Sequence, residues 1–382
     1  MKIALDSWVL ASRFRHQGTY VYARSLIAEF KKIAAKRPEM EFCLFTSPRN
    51  SNDAVLLGAG GGFALMPAPQ LAHDRLWRLR GARRAAASVR ADLIFAPTVS
   101  VLPVGKIPVV CTIHDATPVL MPSHSQRVTL MQRSMLWFAA RFARKIITPS
   151  ECSRRDLINL YGLPDSKITV VYEGHDKAIF NDAAPDPGAQ KTLLSKLKLD
   201  KPYILHHGVI QPRKNLKRLI EAYRLLLSRN PDLPFDLVLA GPLGWNYENI
   251  LATAQNGDAG KGRVLFPGTL EDHELAMLIK GANLIVMPSL YEGFCLPMVE
   301  SMACGVPVIA ASTSCLPEIS GGALKYFDPH SLEDMAACME QVLEDNALRQ
   351  RLAQQGKKRA ANFDWATCAE KTVAIFEECA RM

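Results

Sequence analysis

The sequence lacks the cysteine spacings and the long apolar runs that mark several classes of protein. Its nine cysteines are scattered and no two of them form a CxxC pair, which argues against a zinc site and against a disulfide framework. No stretch approaches the roughly 20 apolar residues of a membrane-spanning helix, and the opening segment Met1–Asp6 is interrupted too early to be a signal peptide. We therefore expect a cytoplasmic protein that is soluble or at most lies on a membrane surface.

Internal repeats and low-complexity tracts are absent as well, so the chain is expected to form ordinary globular domains. Its 382 residues are 48% hydrophobic and 22% charged, which suits two domains with sizeable cores. Residues 1–180 hold 25 basic and 13 acidic side chains, a net charge of +12, whereas the remainder holds 21 and 24, a net charge of −3. This asymmetry indicates an anionic ligand or surface next to the first half.

The segment 284–310 has the order strand, loop, helix, strand. Its parts are the apolar run 284–287, the loop 290–296, a helix over 297–304 and a second apolar run over 306–310. Glu292 lies in the loop beside Gly293, which allows the backbone to approach a ligand. Loop amides and a helix N-terminus together bind phosphate without a metal. Glu300, eight residues after Glu292, lies in the first turns of the helix and can accept hydrogen bonds from sugar hydroxyls.

Three other strand ends carry residues suited to a phosphate or sugar ligand. Gly18 precedes a helical pattern soon after the first strand, where it either admits a phosphate or serves as a simple turn glycine. His114 and Asp115 leave the carboxyl end of a strand, where open α/β sheets bind ligands, although a lone histidine is more often structural. Arg213 and Lys214 stand at the start of a helix with Asn215 as its N-cap, so they can neutralise a diphosphate.

Residues 73–90 form a basic helix candidate with apolar residues at 76, 77 and 79. Six arginines share this segment with Trp77, a composition typical of helices that lie against anionic lipid. A solvated helix face is the alternative. Nucleic acid is disfavoured because no aromatic stacking platform or reading motif accompanies the charge.

Strands and helices alternate in both halves, which predicts two doubly wound parallel α/β sheets. Glu173 to about Ala189 has the composition of a linker. We therefore place an acceptor-binding domain at 1–180, to which a final helix at 366–382 returns, and a donor-binding domain at 181–365.

Taken together, these motifs resemble those of the family 4 retaining glycosyltransferases of the GT-B fold. The motifs are Glu292-Gly-Phe, Pro297-Met-Val-Glu300, Ala303 to Ile309, Gly208 with Pro212-Arg-Lys-Asn215, His114-Asp115 and Phe363-Asp-Trp365. The resemblance covers nearly the whole chain. It implies two Rossmann-like domains with an interdomain cleft for a nucleotide-sugar, and a last helix that crosses back to the first domain.

The resemblance also implies a role for each matching position. Glu300 would bind the ribose hydroxyls, and Arg213 and Lys214 the diphosphate. Glu292 would contact the hydroxyls of the donor sugar. The remaining implied contacts are the loop 293–296 (Gly293, Phe294, Cys295, Leu296) with the phosphates, Leu270 with the base, Gly18 with the phosphates, and His114 with Asp115 near the transferring sugar. Many relatives have glycine where this chain has Cys295, so its side chain narrows the predicted pocket.

No cofactor and no metal are expected, because no Asp-x-Asp motif is present and fixed cations suffice for the leaving diphosphate. The form of the motifs is most similar to mannosyltransferases of bacterial surface polysaccharide, including lipopolysaccharide, with GDP-mannose as the first donor hypothesis. Two alternatives stay open: a sugar-nucleotide epimerase of the same fold, and a non-catalytic sugar-nucleotide-binding protein. A phosphorylase is disfavoured, because no lysine motif for pyridoxal is recognisable. The acceptor and the linkage are left undetermined by the sequence.

Overall fold

A computed structural model describes residues 1–10, 17–46, 62–67, 77–121, 126–255 and 262–381. The chain divides into two compact units, one formed by Met1–Gly174 with Asp364–Met382 and the other by His175–Phe363. The sequence interpretation placed the two boundaries after residues 180 and 365.

The first unit is built on a parallel sheet. Its strands are β1 (Lys2–Leu5), β2 (Glu41–Thr46), β3 (Phe63–Pro67), β4 (Leu93–Ala96), β5 (Val109–Thr112), β6 (Lys145–Thr148) and β7 (Ile168–Val170). They lie in the order β3-β2-β1-β4-β5-β6-β7. Every residue of β4, β5 and β6 is buried, as expected for parallel strands covered on both faces.

Helices accompany this sheet, and two of them pack against each other from opposite ends of the chain. They are α1 (Gly18–Lys36), α2 (Ala82–Ser88), α3 (Thr117–Leu120), α4 (Gln126–Phe142), α5 (Glu151–Tyr161) and α14 (Trp365–Arg381). Phe376 of α14 lies 5.8 Å from Phe30 of α1 and 5.1 Å from Phe95, measured between ring centroids. Glu377 forms an ion pair with Arg37 at 2.6 Å. The prediction that the last helix returns to the first domain is confirmed.

The second unit repeats the plan. Its strands are β8 (Tyr203–His207), β9 (Asp236–Ala240), β10 (Val264–Gly268), β11 (Leu284–Met287), β12 (Val308–Ala311) and β13 (Lys325–Phe327). Its helices are α6 (Pro187–Lys196), α7 (Leu216–Arg229), α8 (Glu248–Gln255), α9 (Asp272–Lys280), α10 (Leu296–Ala303), α11 (Leu316–Ser320), α12 (Leu332–Glu344) and α13 (Asn346–Ala360). The strands are parallel, in the order β10-β9-β8-β11-β12-β13.

Both sheets reverse their strand order at one place, between β1 and β4 in the first unit and between β8 and β11 in the second. The prediction of two doubly wound parallel sheets is therefore confirmed. In such sheets ligands bind beyond the carboxyl ends of the strands that flank the reversal. The loops after β8 and β11 carry Arg213, Lys214 and Glu292, so the fold itself brings together the residues predicted to bind the diphosphate and the donor sugar.

Three sequence interpretations differ from the structure. Trp77 does not face lipid: it is 8% exposed and its indole nitrogen donates to the buried Asp6 at 2.8 Å, while residues 73–76 lie outside the described part of the chain. Glu173 is not a linker residue, because it is 4% exposed. Asn215 is the N-cap residue of α7 as predicted, but its side chain makes no capping hydrogen bond, and its Nδ2 donates instead to the carbonyl of Pro329 at 2.8 Å.

Two further findings concern the cysteines and the possibility of a membrane-spanning helix. All nine cysteines are buried thiols. Among the helices that the structure describes, none has the length and apolar composition needed to cross a bilayer.

Candidate active site

A buried cluster of two cations and one carboxylate lies at the β8–β11 reversal of the second unit. Arg213 and Lys214 lie on a single 3₁₀ turn, Pro212–Lys214, between β8 and α7. Glu292 accepts from Arg213 Nη1 at 2.7 Å through Oε2 and from Lys214 Nζ at 2.6 Å through Oε1. Each carboxylate oxygen of Glu292 thus binds a different cation.

Hydrogen bonds of backbone amides fix the two loops that carry this cluster. The amide of Leu290 donates to the carbonyl of Arg213 at 3.0 Å, and the amide of Glu292 donates to the Ser314 hydroxyl at 3.0 Å. Burial by itself raises the pKa of Glu292, but the charges of Arg213 and Lys214 outweigh it and lower the pKa to about 2. Glu292 is therefore a carboxylate at neutral pH, and it acts as the counter-ion of the two residues predicted to bind a diphosphate.

The loop that follows Glu292 presents unengaged amide donors. Within the described residues, the backbone N–H groups of Gly293, Cys295 and Leu296 donate to no acceptor, although all three residues are buried. Buried amides at a helix N-terminus that lack partners are a site for an anion. The helix α10 begins at Leu296, with Pro297 as its second residue.

Cys295 has the left-handed backbone of this loop, with φ 76° and ψ 65°. The sequence interpretation selected Gly293 for the close approach of the backbone to a ligand, and it did not foresee that Cys295 would adopt the conformation that favours glycine. Burial, followed by the charge of Glu292, raises the pKa of the Cys295 thiol to about 12. The thiol of Cys295 is thus uncharged at neutral pH.

Glu300 lies on α10, one turn beyond the unengaged amides. Burial, and then the charges of Asp272 and Asp176, raise its pKa to about 8. A carboxyl group of this kind suits hydrogen bonds with hydroxyl groups better than an ion pair. Leu270, predicted to contact the base, is half-buried and follows β10, two residues before Asp272.

His206 also lies beside Lys214, although no motif in the sequence singled it out. Its Nδ1 donates to the carbonyl of Val286 at 3.0 Å, and its Nε2 is buried with no hydrogen-bond partner in the described residues. Burial and the charge of Lys214 lower its pKa to about 4, so the ring is neutral. A Cβ on Gly208 would lie 3.8 Å from Lys214 Nζ and 3.9 Å from His206 Nε2, so a side chain at this position would contact both nitrogens.

In the first unit, both ring nitrogens of His114 face acceptors. Nδ1 lies 3.1 Å from Glu173 Oε1, and Nε2 lies 3.0 Å from the carbonyl of Pro97. Burial lowers the pKa of His114, but the hydrogen bond and the charge of Glu173 outweigh it, and the net shift is upward. The edge of Tyr22 packs on the ring with 4.7 Å between centroids. His114 is therefore held as an imidazolium.

The structure divides the predicted site residues between the two units. Arg213, Lys214, Glu292 and the loop 293–296 are brought together in the second unit, with Glu300 on the helix that this loop begins. In the first unit Gly18 is the exposed first residue of α1, and Asp115 Oδ1 accepts from the amide of Thr117 at 2.8 Å. The sequence analysis missed His206 and Glu173. Glu173 lies three residues beyond the end of β7, and its position near the end of an apolar run was the one available signal.

Comparison with known families gives two matches that together span most of the chain. The model described as glycosyl transferases group 1 matches residues 193–359, and the model of glycosyltransferase family 4 matches residues 21–178.

Two curated proteins of Escherichia coli are among the similar sequences. The chain is 31% identical over 272 residues to O-antigen chain mannosyltransferase B, with 70% of each protein covered. It is 29% identical over 274 residues to the serotype-specific mannosyltransferase WbdA, where 70% of this chain matches 33% of that protein. The chain thus spans about one third of WbdA.

Solved structures with a similar backbone include three enzymes that align along almost their whole length. Sucrose-phosphate synthase from Thermosynechococcus elongatus has a TM-score of 0.75 at 20% identity, covering 99% of this chain and 98% of that one. HepE of Anabaena with UDP-glucose has a TM-score of 0.75 at 21% identity, covering 99% and 100%. WaaG, a glycosyltransferase involved in lipopolysaccharide biosynthesis, has a TM-score of 0.69 at 16% identity, covering 98% and 99%. At these identities the likeness establishes the fold.

Proposed function

The chain belongs to the group 1, family 4 glycosyltransferases of GT-B fold, and we propose that it transfers mannose from GDP-mannose with retention of anomeric configuration. The acceptor in this proposal is a growing glycan or a lipid-linked saccharide of a bacterial surface polysaccharide. The observation that carries the proposal is the Arg213–Glu292–Lys214 cluster beside the unengaged amides of the Gly293 loop.

The leaving group of such a reaction is a nucleoside diphosphate, whose negative charge grows as the bond to the sugar breaks. Fixed cations and amides that are oriented before the reaction stabilise this charge most strongly in a buried site. Arg213, Lys214 and the amides of Gly293, Cys295 and Leu296 supply both kinds of group, so we propose that the transfer needs no metal ion.

Three residues of the second unit are assigned to the remaining parts of the donor. Glu300, with its raised pKa, is assigned to the ribose hydroxyls, and Leu270 to the base. Glu292 is assigned to the hydroxyls of the donor sugar. In this proposal the diphosphate replaces Glu292 as the partner of the two cations, and the released carboxylate turns to the sugar.

His114 is assigned to the transferring sugar, together with Asp115 and the backbone at Gly18. Because both of its N–H groups donate to Pro97 and Glu173, His114 serves in this proposal as a fixed positive charge and not as a proton carrier. We propose a same-face displacement with an ion-pair-like transition state, in which the cations and amides of the second unit stabilise the leaving group.

The choice of donor rests on the similar mannosyltransferases. The test is to incubate the protein with GDP-mannose, GDP-fucose, UDP-glucose or ADP-glucose and a mannose-terminated oligosaccharide, in the presence of EDTA, and to analyse the product by NMR. We expect turnover with GDP-mannose and an α-mannosidic product. A β-linked product, a requirement for added divalent metal, or turnover with another donor alone would contradict the corresponding part of the proposal.

The same incubation without acceptor separates the open alternatives. An epimerase would convert the nucleotide-sugar to an isomer, and a binding protein would leave it unchanged even with acceptor present. We expect that the donor is not isomerised in the absence of acceptor, and that it is consumed once acceptor is added.

A further inference from the structure

Large exposed apolar side chains are concentrated in one region of the first unit. Of the nine in the described part of the chain, eight lie between residues 104 and 160. Five are on α4: Val128, Leu130, Met131, Trp137 and Phe142. Leu130 is 67% exposed and Trp137 is 49% exposed. A single exposed leucine needs no explanation, but a contiguous group that includes tryptophan marks an interaction surface.

The composition of α4 limits what this surface can contact. The helix has no acidic residue in its 17 positions, and Arg127, Arg133 and Arg141 lie among the exposed apolar residues. Its opposite side contributes Leu136, Ala139 and Ala140 to the core. The exposed side is thus apolar and cationic at once.

Aromatic rings connect two depressions along α4. The rings of Trp137 and Phe138 lie 5.1 Å apart between centroids, and those of Phe138 and Phe142 lie 5.9 Å apart. Trp137 and Phe138 line a groove of about 430 Å³ that also includes Leu160. Phe142 lines a larger pocket of about 890 Å³ at the amino ends of β5 and β6.

The larger pocket is strongly basic. The cations that line it are Lys106, Arg144, Lys145 and Lys167, against the single carboxylate of Glu378 among its described lining residues. Glu378 forms an ion pair with Lys145 at 2.7 Å, and Lys167 Nζ donates to the carbonyl of Arg141 at 2.9 Å. Lys106 and Arg144 are exposed and form no side-chain hydrogen bond within the described residues, so their charges remain available.

We propose that this surface binds an anionic phospholipid bilayer, with Leu130 and Trp137 in the interfacial layer and with Lys106 and Arg144 on lipid phosphates. Tryptophan prefers the level of the headgroups, and an apolar helix face rich in arginine lies in the plane of the interface. Residues 1–180 carry a net charge of +12, which complements an anionic leaflet. The sequence suggested lipid binding at residues 73–90, but none of the described residues of that segment, 77–90, lines either depression.

A second copy of the chain fits this surface less well than lipid. A two-fold contact places the same patch on both sides of the interface, so it would bring Lys106 and Arg144 towards like charges. The basic pocket also lies at the amino edge of the sheet, whereas His114 follows the carboxyl end of β5. Lipid bound at the amino edge would therefore leave the edge that carries His114 open.

The test is co-flotation of the full-length protein with vesicles of phosphatidylcholine alone or mixed with phosphatidylglycerol. The variants are Leu130→Ser/Trp137→Ser and Lys106→Ser/Arg144→Ser. The matched control is Leu243→Ser/Lys217→Ser, which changes one apolar residue at 51% exposure and one lysine whose side chain is 61% exposed, both in the second unit.

We expect the wild type to bind anionic vesicles at least about tenfold more tightly than neutral ones. Each cation near an anionic leaflet contributes about fivefold, so the loss of Lys106 and Arg144 should weaken binding about 25-fold, on anionic vesicles only. Leu130→Ser/Trp137→Ser should weaken binding to both kinds of vesicle, and the control should match the wild type.

Three outcomes would overturn the proposal: no preference of the wild type for anionic vesicles, an equal loss in the control, or a wild-type dimer in light scattering that Leu130→Ser/Trp137→Ser dissociates. Thermal stabilisation by GDP is measured on the same samples. It should be equal in all variants, which shows that they are folded and separates this test from that of the proposed function.

Discussion

Glu292 lies 78 and 79 residues along the chain from the two cations that it binds. The sequence placed each of the three residues in a ligand site from its local motif, but no local pattern indicated that one carboxylate would occupy both cations. That pairing depends on two loops meeting at the β8–β11 reversal. The motifs thus predicted which residues form the site, but the ion pairs between these residues could be identified only from the folded structure.

The two acids of the site should affect different kinetic constants. Glu300→Ala removes a group assigned to the ribose, so we expect the Kd of the nucleotide to rise about tenfold. Glu292→Ala leaves the cations free for the diphosphate but removes the group assigned to the sugar, so kcat should fall about 100-fold or more with little change in nucleotide affinity. Isothermal titration and initial rates measure the two effects. Unchanged binding and transfer in both variants would contradict the site assignment.

Cys295 adopts a backbone conformation that costs roughly 1–2 kcal/mol for a residue with a Cβ. We therefore expect Cys295→Gly to be more stable than Cys295→Ala by about 1 kcal/mol, the reverse of the usual order in a helix. Cys304 is the control, because it is also buried but has φ −71° and ψ −4°, where alanine should be the more stable variant. Urea unfolding of the four variants measures this. The same order at both positions would contradict the strain argument.

The raised pKa of His114 predicts a pH dependence with a definite sign. Since its folded pKa exceeds the unfolded value of about 6.5, the pair with Glu173 stabilises the protein fully below that pH, and this stabilisation is lost as the pH rises through the folded pKa. Glu173→Gln should therefore lower the pKa of His114 and reduce stability most at acidic pH. An NMR titration of the imidazole measures the shift, with the exposed His273 as internal control. An unchanged titration of His114 would refute its assignment as an imidazolium.

At the scale of elements, the positions of strands were largely predictable, whereas several helices were not predicted, α4 (Gln126–Phe142) being the longest of them. Short buried runs such as Ile146–Ile147 and Ile285–Val286 are typical of parallel strands, and the strands found from them lie within a few residues of the observed bounds. The helix α4 was missed because apolar and basic residues are mixed on its exposed side, which obscures the helical period. The feature that hid the helix is the same one that suggests lipid binding.

The close approach of the loops after β8 and β9 gives a second prediction at this scale. A Cβ on Gly241 would lie 2.0 Å from the carbonyl oxygen of Gly208, in backbone with φ 141°. Gly241→Ala should therefore destabilise the second unit by more than about 3 kcal/mol and move the loop that carries Lys214.

Gly268→Ala is the control for this prediction. Its φ is 77° and nothing lies within 4 Å of the added Cβ, so only backbone strain of about 1 kcal/mol is expected. Thermal unfolding of both variants, followed with and without nucleotide, measures the difference. Equal effects would mean that the contact between the two loops has no energetic importance.

At the scale of the whole molecule, the sequence predicted two doubly wound units and the return of the last helix to the first one. Alternation of strands and helices carried the first prediction, and the resemblance of Phe363-Asp-Trp365 to a family motif carried the second. The place of Glu173 was harder to predict, since its surroundings in the sequence looked like a linker, whereas it is buried against His114 within the first unit. The proline and glycine residues after residue 180 gave the stretch from Glu173 to about Ala189 the composition of a linker, so the buried position of Glu173 at the end of the segment Met1–Gly174 was not predicted.

The central claim is that the cations and amides of the second unit bind the diphosphate of a nucleotide. The direct measurement is calorimetric titration of GDP and of guanosine into the wild type, Lys214→Met and Lys217→Met. Lys214 is 5% exposed in the site, whereas the side chain of Lys217 is 61% exposed on α7. We predict that Lys214→Met weakens the binding of GDP by about 1.5–3 kcal/mol, or roughly 10- to 150-fold. The affinity for guanosine should not change, and Lys217→Met should match the wild type. Equal affinity of the wild type and Lys214→Met for GDP would contradict the account.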